Sequence, residues 1–332
     1  MSEWRADPVT GQWVVVAADA PMRRRDFDLD EHPPESDAPC PLCEGHEQAA
    51  GHEILAVRHG TAGNGPGWDL RVVPNRVPAL RVEDGGDAVR EGLFEHQPGL
   101  GAHEVVIESP RHDASWFTMT ADDLARVLTA WRDRIADLRR DSRLRAALAF
   151  KNHGAKAGAR LAHPHSQVVA MPRVPPRLDD ELRGSERHHA ATGRCVFCDL
   201  MAAELAAGTR VVAATPGCVA LAPYASRTPF ELWLLPRRHG ARFEVATSED
   251  LAAVAATLHQ VMGQMDAELG RPAFNAVLHS APYGAVGDAA YHWHLEIVPR
   301  VMRATGFEIG TGTAINPVPA EKAARVLRGA AG

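Results

Sequence analysis

Apolar residues recur along this chain in two rhythms, and the same succession of rhythms occurs twice. Leu124, Val127, Leu128, Trp131, Ile135 and Leu138 fall three or four apart, the spacing of one helix face; Leu251, Val254, Ala255, Leu258, Met262 and Met265 repeat it. Thr120 and Thr247 stand ahead of these runs as N-caps, each followed by acids in the first turn. Short apolar, partly β-branched runs flank both helices. Residues 104–107 and 231–235 precede them, 146–150 and 273–277 follow them, and all four read as strands. A shift of 127 positions superposes the copies, placing Glu104 on Glu231, His112 on His239 and Thr120 on Thr247. The pattern predicts an α+β fold of two fused halves, each an antiparallel sheet with a packed helix, spanning 1–178 and 190–332. Residues 172–193, rich in proline and charge, read as the linker, and 82–101, rich in glycine and acid, as a surface loop.

Each half then ends on a strand of different character. The first carries His163-Pro164-His165-Ser166-Gln167; the second, at a shift of 129, carries His292-Trp293-His294-Leu295-Glu296. Alternate side chains of a strand share a face, so two imidazoles and an amide converge in the first copy.

Composition narrows the setting. The 332 residues are 45% hydrophobic and 23% charged, with a net charge of −6. No bulk basic field therefore draws the chain to nucleic acid or anionic membrane, and any phosphate must be held locally. No apolar run approaches the ~20 residues of a membrane span, and the first residues lack a signal-peptide pattern, so a cytoplasmic location is expected. In such a reducing compartment the pairs Cys40/Cys43 and Cys195/Cys198 read as metal ligands, and the lone Cys218 as a small buried hydrophobe.

Motif and repeat together assemble two candidate metal sets: Cys40, Cys43, His112 and His163, then Cys195, Cys198, His239 and His292. Two thiolates and two imidazoles suit a closed tetrahedral zinc site. A rival for the second site is Glu181, His279, His292 and His294, an oxygen–nitrogen set suited to iron or labile zinc. His46, His52, His59, His188 and His189 read as solvated rather than ligating.

With His163 on a metal, His165 is the free imidazole of that face and the candidate phosphorus nucleophile. Gln167 can donate an N–H to a phosphoryl oxygen but cannot act as an acid, which favours a transferase over a hydrolase. The stretch 151–160, small, flexible and cationic, is fit to wrap a diphosphate. Glu296 replaces the amide in the second copy and would repel phosphate, so chemistry is expected in the first half alone.

At these residues the chain resembles the galactose-1-phosphate uridylyltransferase family, the transferase branch of the histidine-triad superfamily. The likeness runs nearly end to end. It opens at Arg5-Ala6-Asp7-Pro8 and continues through Cys40-Pro41-Leu42-Cys43, Pro74-Asn75 and Lys151-Asn152-His153-Gly154. Its core is His163 to Gln167, and it closes at Gly306-Phe307-Glu308. The resemblance implies UDP-glucose–hexose-1-phosphate uridylyltransfer by a ping-pong route, with His165 carrying the nucleotide. It assigns Asn75 and Asn152 to nucleoside and phosphate, Gln167 to the phosphoryl oxygen, Phe307 and Glu308 to the hexose, and it implies a homodimer. Two positions depart from the family pattern. Ala20 replaces an arginine and leaves Arg23 of a basic pair, while Arg160 replaces a serine. The second Cys-x-x-Cys is similar to that of ADP-glucose phosphorylases, the alternative activity on the same scaffold.

Overall fold

The computed structural model describes residues 2–18, 27, 29, 39–284 and 288–329. The elements run β1 (Glu3–Ala6), β2 (Trp13–Val16), α1 (Glu47–Ala50), β3 (Leu55–Arg58), β4 (Trp68–Pro74), β5 (Val89–Glu91), β6 (Phe94–His96), β7 (Ala102–Ile107), α2 (Ala121–Leu138), β8 (Ala146–His153), β9 (His165–Met171), α3 (Pro176–Thr192) and α4 (Val196–Ala207). They continue with β10 (Val211–Ala214), β11 (Cys218–Leu221), β12 (Leu232–Pro236), α5 (Ser248–Leu269), β13 (Phe274–His279), β14 (His294–Pro299), α6 (Gly306–Thr311), β15 (Ile315–Asn316) and α7 (Ala320–Leu327).

Among the described residues, ten strands form one antiparallel sheet in the order β10-β11-β12-β14-β13-β8-β9-β7-β4-β3. Read outward from the central β13–β8 pair, the two halves have the same strand order, as a duplicated unit joined edge to edge would have. At the junction Asn275 pairs with Asn152 and Val277 with Phe150. The helices α2 and α5 open alike. The hydroxyls of Thr120 and Thr247 accept from the N–H of Asp123 and Asp250, whose carboxylates accept from the cap N–H in return. Both helices bury their apolar stripes in one core on the same side of the sheet. The sites lie on the other side.

Three expectations are corrected. Residues 172–193 are not a linker: α3 runs through them, with Pro176 at its first turn and Gly193 closing it in the left-handed region. Its buried side is sparse and partly polar (Leu178, Glu181, Gly184, Ser185), which hid its helical period. Gly184 permits the docking, since a Cβ there would stand 1.7 Å from the Val9 carbonyl oxygen. Residues 82–96 are exposed as expected but include the hairpin β5–β6, and the segment is covered again by Gly101. The repeat register also slips by one at β7. Gln167 pairs with Val105, whereas Glu296 pairs with Trp233. His103, not Glu104, therefore corresponds to Glu231, because a one-residue slip exchanges the faces of a strand. Glu104 instead turns toward α2 and forms a buried two-pronged ion pair with Arg134 at 2.7 and 2.8 Å.

Candidate active site

Strand β9 alternates as the His-x-His-x-Gln spacing predicts. Ser166, Val168 and Ala170 are buried against the helical side, where Ser166 Oγ accepts from the Trp131 indole at 2.8 Å. His165 and Gln167 face the other way, into a cavity of about 730 Å³. Asn75, Asn152 and Arg160 share its wall, and Leu42, Val73 and Val77 give it an apolar side.

The His165 ring is held in one tautomer. Its Nδ1–H donates to the His163 carbonyl at 2.8 Å, so the lone pair lies on Nε2. Burial lowers its pKa, the His163 carbonyl opposes that, and the Lys151 ammonium adds to the lowering, so the ring is neutral near pH 7. Lys151 itself corrects the sequence reading. It belongs to β8 and is buried, donating to Glu108 Oε2 at 2.7 Å and to the His165 carbonyl at 3.1 Å. It braces the backbone of His165 and is not part of the cavity wall. The turn after Lys151 closes on itself, the N–H groups of Ala157 and Ala159 donating to the Gly154 carbonyl and that of Gly158, in the left-handed region, to Ala155.

Two amides on the wall are oriented from behind. Asn152 Oδ1 accepts from Asn275 Nδ2 at 2.8 Å, leaving its own NH₂ for the cavity. Gln167 Oε1 lies 2.7 Å from His103 Nε2. His103 was missed because the strand was expected to open at Glu104; β7 opens at Ala102, and strand alternation puts 103 on the face of Val105, the partner of Gln167. Phe307 and Glu308 do not join this wall. They lie on α6, where Phe307 is exposed and Glu308 accepts from the N–H groups of Thr305 and Ile315. Arg23 lies outside the described residues.

The metal sets assemble as two clusters whose ligand atoms all lie within 4.8 Å of one another: Cys40, Cys43, His112 and His163, and Cys195, Cys198, His239 and His292. In the first, Nδ1 of His112 and of His163 approach Cys43 Sγ at 3.3 and 3.5 Å, while His163 Nε2 donates to the Ser109 carbonyl at 2.8 Å. In the second, Nδ1 of His239 and of His292 approach Cys198 Sγ at 3.4 and 3.5 Å, and His239 Nε2 donates to the Asp288 carbonyl at 2.6 Å. Inward lone pairs with outward N–H donors are what a metal requires of histidine. Burial and the neighbouring Cys40 push the Cys43 thiol up to about 11, since two crowded thiolates need a cation between them. The donor set therefore fits a divalent metal in each cluster.

Three members of the oxygen–nitrogen rival, Glu181, His279 and His294, also bring their ligand atoms within 4.8 Å of one another, without His292. His292 turns to the cysteines, and His279 spends both ring nitrogens on carboxylates, Nδ1 on Glu181 at 3.0 Å and Nε2 on Glu296 at 3.2 Å. Burial lowers its pKa, but those two glutamates outweigh it and raise the value to about 9, so with no metal bound His279 is an imidazolium paired with both carboxylates.

An imidazole with a free lone pair beside an amide, over a cavity of about 730 Å³, is a candidate group-transfer site, and comparison with known proteins gives the chain's family. The model of the galactose-1-phosphate uridyl transferase N-terminal domain matches residues 1–175 and that of the C-terminal domain residues 181–329. The chain belongs to the galactose-1-phosphate uridylyltransferase family. Among its relatives, the ADP-glucose phosphorylase of Arabidopsis thaliana is 32% identical over 98% of this chain and 92% of its own length. The galactose-1-phosphate uridylyltransferase of Thermotoga maritima is 27% identical over 99% of this chain and 98% of its own. A crystal structure of the Arabidopsis ADP-glucose phosphorylase with bound ADP-glucose superposes with a TM-score of 0.83, at 31% identity over 99% of both chains. No helix among the described residues is long and apolar enough to cross a membrane.

Proposed function

We propose that this enzyme of the uridylyltransferase family moves a nucleotidyl group between phosphates through a covalent intermediate on His165, acting as a UDP-glucose–hexose-1-phosphate uridylyltransferase. One observation carries the reading: the Nδ1–H bond to the His163 carbonyl leaves the Nε2 lone pair free beside Gln167. Nε2 attacks the α-phosphorus of the nucleotide sugar and an N–P bond forms. The bond from phosphorus to the bridging oxygen breaks, and sugar 1-phosphate leaves with the electron pair. No proton need reach a leaving group that is already a phosphate. The ring's positive charge stays shared through Nδ1–H with the His163 carbonyl until a second sugar 1-phosphate attacks and restores the neutral imidazole. Gln167 and Asn152 donate to the phosphoryl oxygens, and Arg160 supplies a cation at the rim.

We assign zinc to both sulfur–nitrogen clusters, where it would tie distant segments together; its four protein ligands leave it no part in the bond changes. Unpaired thiols as metal ligands support a reducing compartment, the cytoplasm. Residues 1–178 form the catalytic half in this reading and 190–332 the structural one.

A second reading, adenylyl transfer from an ADP-sugar to phosphate, is favoured by the 32% identity to the Arabidopsis ADP-glucose phosphorylase. Incubation with UDP-glucose or ADP-glucose followed by intact-mass measurement separates the two. A UMP adduct absent from His165→Ala supports uridylyl transfer, an AMP adduct the second reading, and no adduct with either sinks both.

A further inference from the structure

The His103 ring meets three partners in the wall of the cavity. The backbone N–H of Ala79 lies 3.1 Å from Nδ1, Gln167 Oε1 lies 2.7 Å from Nε2, and Asn75 Nδ2 lies 3.0 Å from the same Nε2. A backbone N–H can only donate, so Nδ1 is the acceptor, and a neutral ring then holds its proton on Nε2. That proton has one acceptor in reach, the Gln167 carbonyl oxygen. The Gln167 amide is thereby fixed, its oxygen toward His103 and its NH₂ toward the cavity. Without such a partner, a glutamine amide can turn end for end and present oxygen to an anion. Asn75 is held beside them, its Oδ1 accepting from the Val77 N–H at 2.9 Å.

We propose that His103 is a positioning residue that locks the Gln167 amide with its donor end toward the transferring phosphoryl group and ties it to the 75–79 loop. The inference rests on the proposed nucleotidyl transfer through His165. It adds a claim that reading does not contain: Gln167 stabilises the transition state only while a neighbouring ring dictates which end it presents. Because His103 touches the loop through Ala79 and the amide through Nε2, a shift of that loop would also shift the donor.

The test is the single-turnover rate of adduct formation on zinc-loaded protein, followed by intact mass with whichever nucleotide sugar labels the wild type. His103→Phe keeps a ring but no hydrogen-bonding atoms and should slow adduct formation about 10- to 100-fold, with less than a threefold change in half-saturating substrate. His103→Gln can still accept from Ala79 and donate to Gln167, and should recover most of the rate. Adding His103→Phe to Gln167→Ala should cost less than threefold more, because the residue acts through the amide. Unchanged melting temperature and zinc content exclude simple misfolding. A His103→Phe rate within twofold of wild type overturns the proposal, and so does a full, additive loss on the Gln167→Ala background. Failure of the wild type to form any adduct would instead overturn the nucleotidyl-transfer reading.

Discussion

The two halves of the sheet carry the same four positions to opposite ends. In the first half His165, Gln167, Asn152 and His103 surround an open cavity. Their counterparts in the second half are His294, Glu296, His279 and Glu231, and all four are buried. Arg227 pairs with both Glu296 and Glu231, Arg177 reaches Glu296 at 2.9 Å, and the Tyr291 hydroxyl donates to Glu181. Helices α3 and α4 complete the filling, with Val196, Phe197 and Met201 packed on Trp233 and Leu235 where the first half is open. Neutral donors leave room for an anion brought in from solvent. Carboxylates in the same places recruit the protein's own cations and close the site.

Under this contrast, equivalent substitutions should have unlike consequences. His165→Ala should lower turnover by about 10⁴-fold or more and abolish the adduct, because the attacking atom is gone. His294→Ala should leave turnover of folded protein within about threefold, since His294 is 1% exposed and reaches no cavity. Comparable losses in the two variants would break the comparison.

The metal clusters sharpen it. Cys198→Ser and Cys43→Ser should each lower zinc from two to one per chain and cost on the order of 5 kcal/mol, which metal analysis and thermal melts would read. Only Cys43→Ser should also slow the chemistry of the protein that remains folded, because its cluster holds His163, whose carbonyl orients His165. Equal activity in the two would detach the first metal from the active site.

Gln167→Glu imports the second half's choice into the first. A carboxylate beside the phosphoryl group should reduce turnover about 10²- to 10³-fold, and His103 should grip it no less tightly than it grips the amide. Retained activity would mean that Gln167 does not face phosphate.

Much of this was legible in the sequence because period and spacing record it directly. The capped helices after Thr120 and Thr247 and the His-x-His strands follow from strict local patterns, and both sulfur–nitrogen sets from those motifs combined with the internal repeat. What escaped depends on partners far along the chain. Helix α3 shows few apolar residues because its buried side includes Glu181, whose partners His279 and Tyr291 lie about 100 residues away. Lys151 reads as a phosphate ligand until Glu108 is placed beneath it, and His103 has no meaning until β7 lies against β9. A shift counted in residues cannot detect a one-residue slip that exchanges the faces of β7, so Glu104 was matched to the wrong counterpart.

The smallest effect concerns the imidazolium that closes the second half. His279 is held at about 9, above its ordinary 6.5, between Glu181 and Glu296, while His279 in turn helps hold Glu181 down to about 2. A raised histidine pKa stabilises the fold fully below the unfolded value of 6.5 and loses that contribution as pH climbs through 9. The lowered Glu181 acts in the other sense, contributing above about 4.5 and failing only as pH falls toward 2. Of these two groups, the histidine is the one whose contribution changes between pH 6.5 and about 9. The stability gap between wild type and His279→Gln should be widest near pH 6 and shrink by about 3 kcal/mol by pH 10, in denaturant melts of zinc-loaded protein. A gap independent of pH would mean that His279 is neutral, and a neutral His279 beside Glu181 and His294 would again be available to a metal.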